Sequence, residues 1–159
     1  MKLTDAQDHW NALVHEIGHA LVAQELGYEA YWQVYPARTQ GLRSWEGATA
    51  LPIGAPTEDR RLIAIAGAIS ETLIGIIPFS FEPTDLAVVG MLGMYKFSDT
   101  DAAYTEGSLT QEEALRCIRL VRELAPRIVE LAVANGGQPP KQRLCNGKSA
   151  PCANLPQGQ

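Results

Sequence analysis

One stretch near the amino terminus constrains the fold of this chain more than any other. Residues 14–23 read VHEIGHALVA and contain the pattern H-E-x-x-H. Apolar residues recur with helical spacing through and before the pattern, which predicts one amphipathic helix with its apolar face against a core. These apolar residues are Trp10, Leu13, Val14, Ile17, Ala20 and Leu21. The two histidines are therefore expected at the border of the core.

The histidines of this pattern have the spacing of a metal site. His15 and His19 are four residues apart, so on a helix they lie one above the other on the same face. Two imidazoles can bind zinc and leave coordination positions for a third side chain and a water. Glu16 lies beside such an ion, where it can accept a proton from the water as a general base. The alternative is a chance match on an exposed helix, which the apolar stripe disfavours.

Composition and charge restrict the class of protein. With 159 residues, 46% of them hydrophobic and 19% charged, the chain is expected to form one globular domain. Its net charge is −5 and no cluster of Lys and Arg occurs, so a nucleic-acid partner is not expected. Three cysteines do not form a disulfide framework, and residues 1–5 contain no apolar signal core. These features favour a cytoplasmic location.

The histidine helix is predicted to be followed by a small sheet. Thr4 and Gln7 form a capping box that opens the helix, which runs to about Leu26 before a glycine. Residues 29–35 are rich in aromatic and β-branched side chains and predict a strand. Residues 47–51 predict a second strand that returns antiparallel to it.

A strongly apolar run follows the strands. Thr57 is predicted to cap a helix over residues 58–77 that is apolar nearly all round and lies in the middle of the domain. The run is interrupted at Glu71 and ends at Pro78, whereas a membrane span needs about 20 mostly apolar residues. A buried helix is therefore predicted, and a membrane partner is not expected.

Glu71 is the unusual residue of that apolar helix. A buried carboxylate is costly unless it is paired or bound to a metal. Either Glu71 reaches a boundary, or it pairs with an arginine such as Arg60 or Arg61, or it belongs to a metal site.

The remaining elements are short helices followed by a long one. Residues 83–94 and 98–103 each predict a short helix. Thr110 and Glu113 form a capping box that opens the last helix, which Pro126 should kink or split. The predicted fold class is mainly α (α+β), with a small β-hairpin or sheet beside the histidine helix.

The chain is expected to divide into one folded unit and a tail. Residues 1–136 form the predicted domain, and residues 137–159 are rich in Pro, Gly, Asn, Gln and Ser. That composition predicts an extended or disordered tail. Cys145 and Cys152 lie in the tail and are too few for a zinc knuckle without further ligands.

A catalytic zinc site needs a third protein ligand besides the two histidines. Glu71, Asp99 and Asp101 each offer a carboxylate oxygen. His9 lies on the histidine helix but six residues from His15, so it points elsewhere. Spacing alone leaves the three carboxylates open.

The order of these landmarks resembles the peptidase domain of FtsH-type ATP-dependent zinc metalloproteases. HEIGHALVA at 15–23 is similar to that family's H-E-A-G-H-A stretch with a hydrophobic residue and valine after it. VYP at 34–36 and GATALP at 47–52 resemble its strand pair, V-x-I-x-P and G-x-T-x-x-x-P. AGAISETLIG at 66–75 resembles its G-G-R-x-A-E-E helix, and SDTD at 98–101 resembles its A-S-N-D turn.

The resemblance implies a third zinc ligand in that turn. Asp101 is favoured because small or hydroxyl residues follow it much as in the family, and Asp99 is the second choice. The resemblance also implies that Glu71 supports the site without binding the metal. The turn is shorter and differently spaced here, and the chain contains no G-x-x-x-x-G-K-[ST] motif for an ATPase module.

These inferences predict a zinc-dependent metalloendopeptidase. Zinc at His15, His19 and Asp101 would lower the pKa of its water to about 7, and Glu16 would take the proton. The expected substrate is a peptide or unfolded protein bound along a strand edge. A separate ATPase partner or a homo-oligomer is expected to support it. The alternative is a non-catalytic metal-binding interaction or adaptor module built on the same helix.

Overall fold

The chain folds into a mainly helical α+β arrangement. The computed structural model describes residues 2–38, 41, 43–76, 83–105 and 109–140. Within these ranges five helices and two strands occur in the order α1 (Asp5–Glu25), β1 (Tyr31–Pro36), β2 (Trp45–Ala50), α2 (Thr57–Leu73), α3 (Asp85–Leu92), α4 (Asp99–Tyr104) and α5 (Gln111–Ala134). The predicted fold class is confirmed, with the two strands forming one antiparallel sheet.

The ends of α1 follow from its local sequence. Thr4 Oγ1 accepts the backbone N–H of Gln7 at 3.3 Å, and Gln7 Oε1 accepts that of Thr4 at 2.9 Å. These two bonds complete the predicted capping box. Gly27 follows the helix with φ at +91°, a conformation in which side chains are strained.

The start of α2 differs from the prediction. The N-cap is Pro56, with φ and ψ of −52° and 148°, and Thr57 is already the first helical residue. The prediction that Thr57 caps this helix is therefore wrong. Its hydroxyl accepts the Arg60 guanidinium at 3.3 Å, whereas no side chain caps the backbone N–H groups. The run Leu62–Thr72 is buried, as expected for a helix in the middle of the domain.

The end of α2 also comes earlier than predicted. The helix ends at Leu73 rather than 77, because the residues after it bond to α1. Asn11 Nδ2 donates to the Ile76 carbonyl at 3.2 Å, and Asn11 Oδ1 accepts the Ile76 N–H at 2.7 Å. Trp10 Nε1 donates to the carbonyl two residues earlier at 3.1 Å. These bonds satisfy backbone groups that a longer helix would have satisfied internally.

The helices α1 and α2 pack closely against each other at Gly18. A Cβ atom at Gly18 would lie 2.2 Å from Ser70 Oγ and 2.7 Å from Ser70 Cβ. It would also lie 3.1 Å from the Ala66 carbonyl oxygen. Only glycine therefore permits the observed separation of the two helices at this point.

The long helix α5 packs against both α1 and α2. It continues through Pro126 as one helix, so the predicted split is wrong. Val121 and Ile128 are fully buried on either side of the proline. Burying each of these side chains contributes about 1.5–3 kcal/mol, which together offset the cost of roughly 3 kcal/mol for proline within a helix.

The two strands form a hairpin that lies on α1. Both begin two residues away from the predicted positions, and their register pairs Val34 with Gly47. The buried Asp8 carboxylate accepts the backbone N–H groups of Ser44 and Trp45 at 2.5 and 3.0 Å. Asp8 therefore fixes the start of β2 on the first turns of α1.

The two short helices begin close to the predicted positions, α3 at Asp85 and α4 at Asp99. Thr84 Oγ1 caps α3, and Ser98 Oγ caps α4 by accepting the backbone N–H of Asp101 at 3.1 Å. Of the predicted tail, the structure describes residues 137–140, and the rest, with Cys145 and Cys152, lies outside the described residues. No helix in the described ranges is long and apolar enough to span a membrane.

We expect Gly18→Ala to lower the free energy of unfolding by about 1–3 kcal/mol, because α1 and α2 must separate to admit the methyl group. Gly90→Ala is the matched control, since a Cβ there meets nothing within 4 Å and the residue is exposed in α3. In this control the free energy of unfolding should rise by about 0.5–1 kcal/mol, because alanine is favoured over glycine within a helix. Urea unfolding measures both changes, and equal stability of the two variants would contradict the close packing.

Candidate metal centre

Three side chains from two helices meet at one point. His15 and His19 come from α1, and Asp101 comes from the first turns of α4. The two Nε2 atoms are 3.1 Å apart, and the Asp101 carboxylate oxygens lie 3.7 Å from His15 Nε2 and 3.5 Å from His19 Nε2. Zinc bonds of about 2.0–2.2 Å place the ligand atoms of a tetrahedral site about 3.3–3.6 Å apart. The observed spacing therefore fits a zinc-sized ion.

The hydrogen bonds of the two rings orient their metal-binding nitrogens. His19 Nδ1 lies 2.6 Å from the Ile63 carbonyl oxygen, which only accepts, so we assign the proton to Nδ1. His15 Nδ1 lies 3.1 Å from Glu71 Oε2 and is assigned in the same way. Both rings thus direct Nε2 toward the other ring. Histidines that bind metals commonly donate the other ring N–H to a carboxylate or a backbone carbonyl in this way.

The two facing nitrogens need a positive charge between them. Lone pairs 3.1 Å apart repel unless a proton or a cation lies between the two Nε2 atoms. Burial lowers the pKa of His15, but hydrogen bonds to Asp101 and Glu71 and the charges of Glu71 and Glu16 raise it to about 10. The surroundings of His15 therefore favour positive charge, whether it is supplied by a proton or by a metal ion.

The wall behind the histidines is formed by a glycine of α2. A Cβ atom at Gly67 would lie 2.4 Å from His19 Nε2 and 2.7 Å from His15 Nε2. Any side chain at this position would collide with both imidazole rings. The donor set and the distances between its ligand atoms fit a bound metal ion.

The positions of the candidate carboxylates show which of them lies close to the two histidines. Asp101 is buried, and the Ser98 hydroxyl donates to its Oδ2 at 2.8 Å. Burial raises the pKa of Asp101, but the two imidazoles beside it and the Ser98 hydroxyl hold it well below its usual range. Asp99, the second choice, is exposed and does not join the three-residue group. The structure thus places Asp101, and not Asp99, at the histidines.

Glu71 lies behind His15 and outside the three-residue group. Besides His15, it accepts the Arg43 guanidinium on Oε1 at 3.2 Å. The predicted pairing of Glu71 with an arginine is confirmed, but the arginine is Arg43 rather than Arg60 or Arg61. Arg61 lies on the far side with Glu113 at 2.7 Å, because α2 directs it toward α5.

Glu16 lies beside the ligand atoms without being one of them. Its Oε2 accepts the Thr49 hydroxyl at 2.6 Å, and a Cβ at Gly47 would lie 2.3 Å from its Cγ. β2 therefore presses directly on the Glu16 side chain and fixes its direction. His9 is remote from this group and packs on the Trp45 ring, with the ring centroids 4.0 Å apart.

The site borders a cleft of about 590 Å³ between the hairpin and the segment 95–101. Its walls include the two histidines, Glu16 and Asp101, together with backbone and side chains of β2. Aromatic side chains line much of the rest, namely Tyr35, Trp45, Tyr95 and Phe97. The candidate metal centre is thus open to a ligand of peptide size.

Three residues of the site were not identified from the sequence. Thr49 lies in the G-x-T pattern of β2, which offered a signal that it faces the histidine helix. Arg43 lies in the loop between the strands, and Tyr95 lies 80 residues from His15 in the chain. No local pattern marks either residue.

The fold and site define a mainly helical α+β protein with a buried two-histidine, one-aspartate group beside an open cleft. Comparison with models of known protein families and with curated proteins gives no match. The function is therefore argued from the geometry of the site.

We expect Asp101→Asn to weaken zinc binding more than the 10–100-fold typical of substitutions outside the ligand shell. Asp99→Asn removes a carboxylate from the same helix turn and is the matched control, with an expected change of less than about twofold because the residue is exposed. Competition with a chromophoric chelator measures both affinities. A control that loses more zinc than Asp101→Asn would place the ligand two residues away.

Proposed function

We propose that this protein is a zinc-dependent metallopeptidase. The observation that carries the proposal is the meeting of His15, His19 and Asp101 at zinc-site distances, with Glu16 beside them in an open cleft. Three protein ligands and an accessible position are the arrangement of catalytic rather than structural zinc. When bound there, zinc activates a water and polarises the carbonyl of a substrate.

Glu16 is the general base of this proposal. It lines the cleft, but it is not among the three side chains that meet at ligand distance. The Thr49 hydroxyl holds one of its carboxylate oxygens, so the direction of the base is fixed before a substrate arrives. Glu16 then takes the proton from the attacking water and delivers it to the leaving amine.

The substrate class follows from the position of β2. One edge of this strand pairs with β1, and Gly47, Ala48 and Thr49 line the cleft. An extended peptide can pair with strand backbone without demands on its sequence. We therefore propose peptides or unfolded proteins as substrates, since folded chains do not offer an extended segment. A separate ATPase or a homo-oligomer would supply such segments, in a cytoplasmic setting suggested by the few cysteines.

The second candidate function is a non-catalytic metal-binding interaction module. It shares the same ligands and the same cleft, so metal binding alone does not separate the two. The position of Glu16 favours the enzyme. A carboxylate held beside the ligands has no role in a module that only binds metal.

We expect the purified protein to bind about one zinc ion per chain and to hydrolyse unfolded casein in a chelator-sensitive way. Glu16→Gln should keep the zinc but lose hydrolysis by about 10²-fold or more, the usual size for a general base. Glu46→Gln is the matched control, because Glu46 lines the same cleft on β2. Metal analysis and peptide release measure the outcome.

The opposing results separate the alternatives. Zinc binding without any hydrolysis by the wild-type protein would favour the interaction module. Loss of zinc from Glu16→Gln, with the control unchanged, would show that Glu16 is a ligand rather than a base.

A further inference from the structure

The Glu71 carboxylate is surrounded by donors from three parts of the chain. His15 Nδ1 lies 3.1 Å from Oε2, the Tyr95 hydroxyl donates to Oε2 at 2.7 Å, and the Arg43 guanidinium donates to Oε1 at 3.2 Å. Both oxygens of a largely buried carboxylate are thereby satisfied. Glu71 therefore presents an oxygen that is already held by Tyr95 to the Nδ1 atom of His15.

Tyr95 contacts both members of the Glu71–His15 pair. Its hydroxyl lies 2.7 Å from Glu71 Oε2 and 3.4 Å from His15 Nδ1, and its ring stacks on the His15 ring at 6.4 Å between centroids. The hydroxyl donates its one proton to Glu71. His15 Nδ1 carries a proton of its own and lies closer to Glu71 Oε2, at 3.1 Å, than to the Tyr95 oxygen, at 3.4 Å. The shorter bonds therefore connect Tyr95 to the imidazole through the carboxylate.

Arg43 approaches the same carboxylate from the loop between β1 and β2. Its side chain is 51% exposed and lines the cleft, whereas the Glu71 side chain is 12% exposed. The arginine places a positive charge at the outer oxygen of Glu71. This leaves the inner oxygen to Tyr95 and His15.

We propose that Tyr95 and Arg43 are positioning residues that set the metal affinity of the site by holding Glu71 against His15. The proposal rests on the metal centre proposed above. A carboxylate with both oxygens held cannot rotate away, so the His15 ring keeps Nε2 directed at His19 and Asp101. Partners outside the ligand shell act in this way on metal-binding histidines.

A purely structural role would have different consequences. In that case Tyr95 and Arg43 would only tie segment 95–97 and the strand loop to α2. Their removal would then lower stability without changing the affinity of the folded protein for zinc. Measurements on folded protein therefore separate the two roles.

The first experiment compares the zinc affinity of Tyr95→Phe with that of Tyr35→Phe, by competition with a chromophoric chelator. Tyr35 lines the same cleft, and among the described contacts its hydroxyl makes no bond to Glu71. We expect Tyr95→Phe to bind zinc about 10-fold more weakly, at the low end for such partners, and the control to be unchanged. Arg43→Gln should lower the zinc affinity by a few-fold at most, because solvent screens the charge of a half-exposed side chain.

The second experiment tests whether Tyr95 acts through Glu71. Glu71→Met removes both carboxylate oxygens and keeps an unbranched side chain of similar length. If Tyr95 acts through this carboxylate, adding Tyr95→Phe to Glu71→Met should cause no further loss of zinc affinity. Two independent, additive losses would overturn the proposal.

A third measurement remains available if Glu71→Met does not fold. In ¹H–¹⁵N spectra of the zinc-loaded protein, the Nδ1–H of His15 should exchange faster with solvent in Tyr95→Phe than in the wild type. The Nδ1–H of His19 is the internal control, because it bonds to the Ile63 carbonyl and not to Glu71. Equal affinity and equal exchange in Tyr95→Phe and wild type would overturn the positioning role alone. A wild-type protein that binds no zinc would overturn the metal centre itself.

Discussion

The close packing of α1 on α2 is the constraint on which the rest of the site depends. Gly18 lets the helices approach, and Gly67 leaves room where the two imidazoles meet. At this separation α2 provides a partner for each Nδ1 atom, the Ile63 carbonyl for His19 and Glu71 for His15. A wider separation would leave both rings free to rotate, since nothing on α1 itself holds their Nδ1 atoms. Helix packing thus determines the direction of the two Nε2 atoms.

The hairpin holds the side chain of Glu16 in the same way that α2 holds the two histidines. The Thr49 hydroxyl donates to the Glu16 carboxylate at 2.6 Å, and its oxygen lies 3.1 Å from the Glu16 backbone carbonyl oxygen. The strand that would receive an extended peptide is therefore in direct contact with the side chain proposed as the base. A shift of β2 along α1 would move both the substrate backbone and the Glu16 carboxylate. Asp8 resists such a shift by binding the backbone at the start of the strand.

Much of the fold and half of the site could be predicted, because the signals are local. The caps at Thr4, Ser98 and Thr110 each join residues three apart, and the two histidines are four apart. The end of α2 could not be predicted, since it depends on bonds to Asn11, 65 residues away. Arg43 and Tyr95 could not be predicted either, because their contacts with Glu71 are also distant in the sequence. They form only when α2, the hairpin and segment 95–97 pack together. The third ligand came from the order of motifs rather than from spacing.

The charges around the site support the divalent cation proposed above. Glu16, Glu71 and Asp101 are each largely buried, and among the described residues the arginine in contact with them is Arg43, which pairs with Glu71. Arg43 offsets one of these negative charges, and a proton on His15 would offset a second. The third carboxylate would then be buried without an opposite charge, which is costly. A divalent ion between His15, His19 and Asp101 offsets two negative charges at once. Such an ion would also lie between the two Nε2 atoms and bind both lone pairs. A single proton would remove their repulsion only by forming a hydrogen bond from one Nε2 atom to the other.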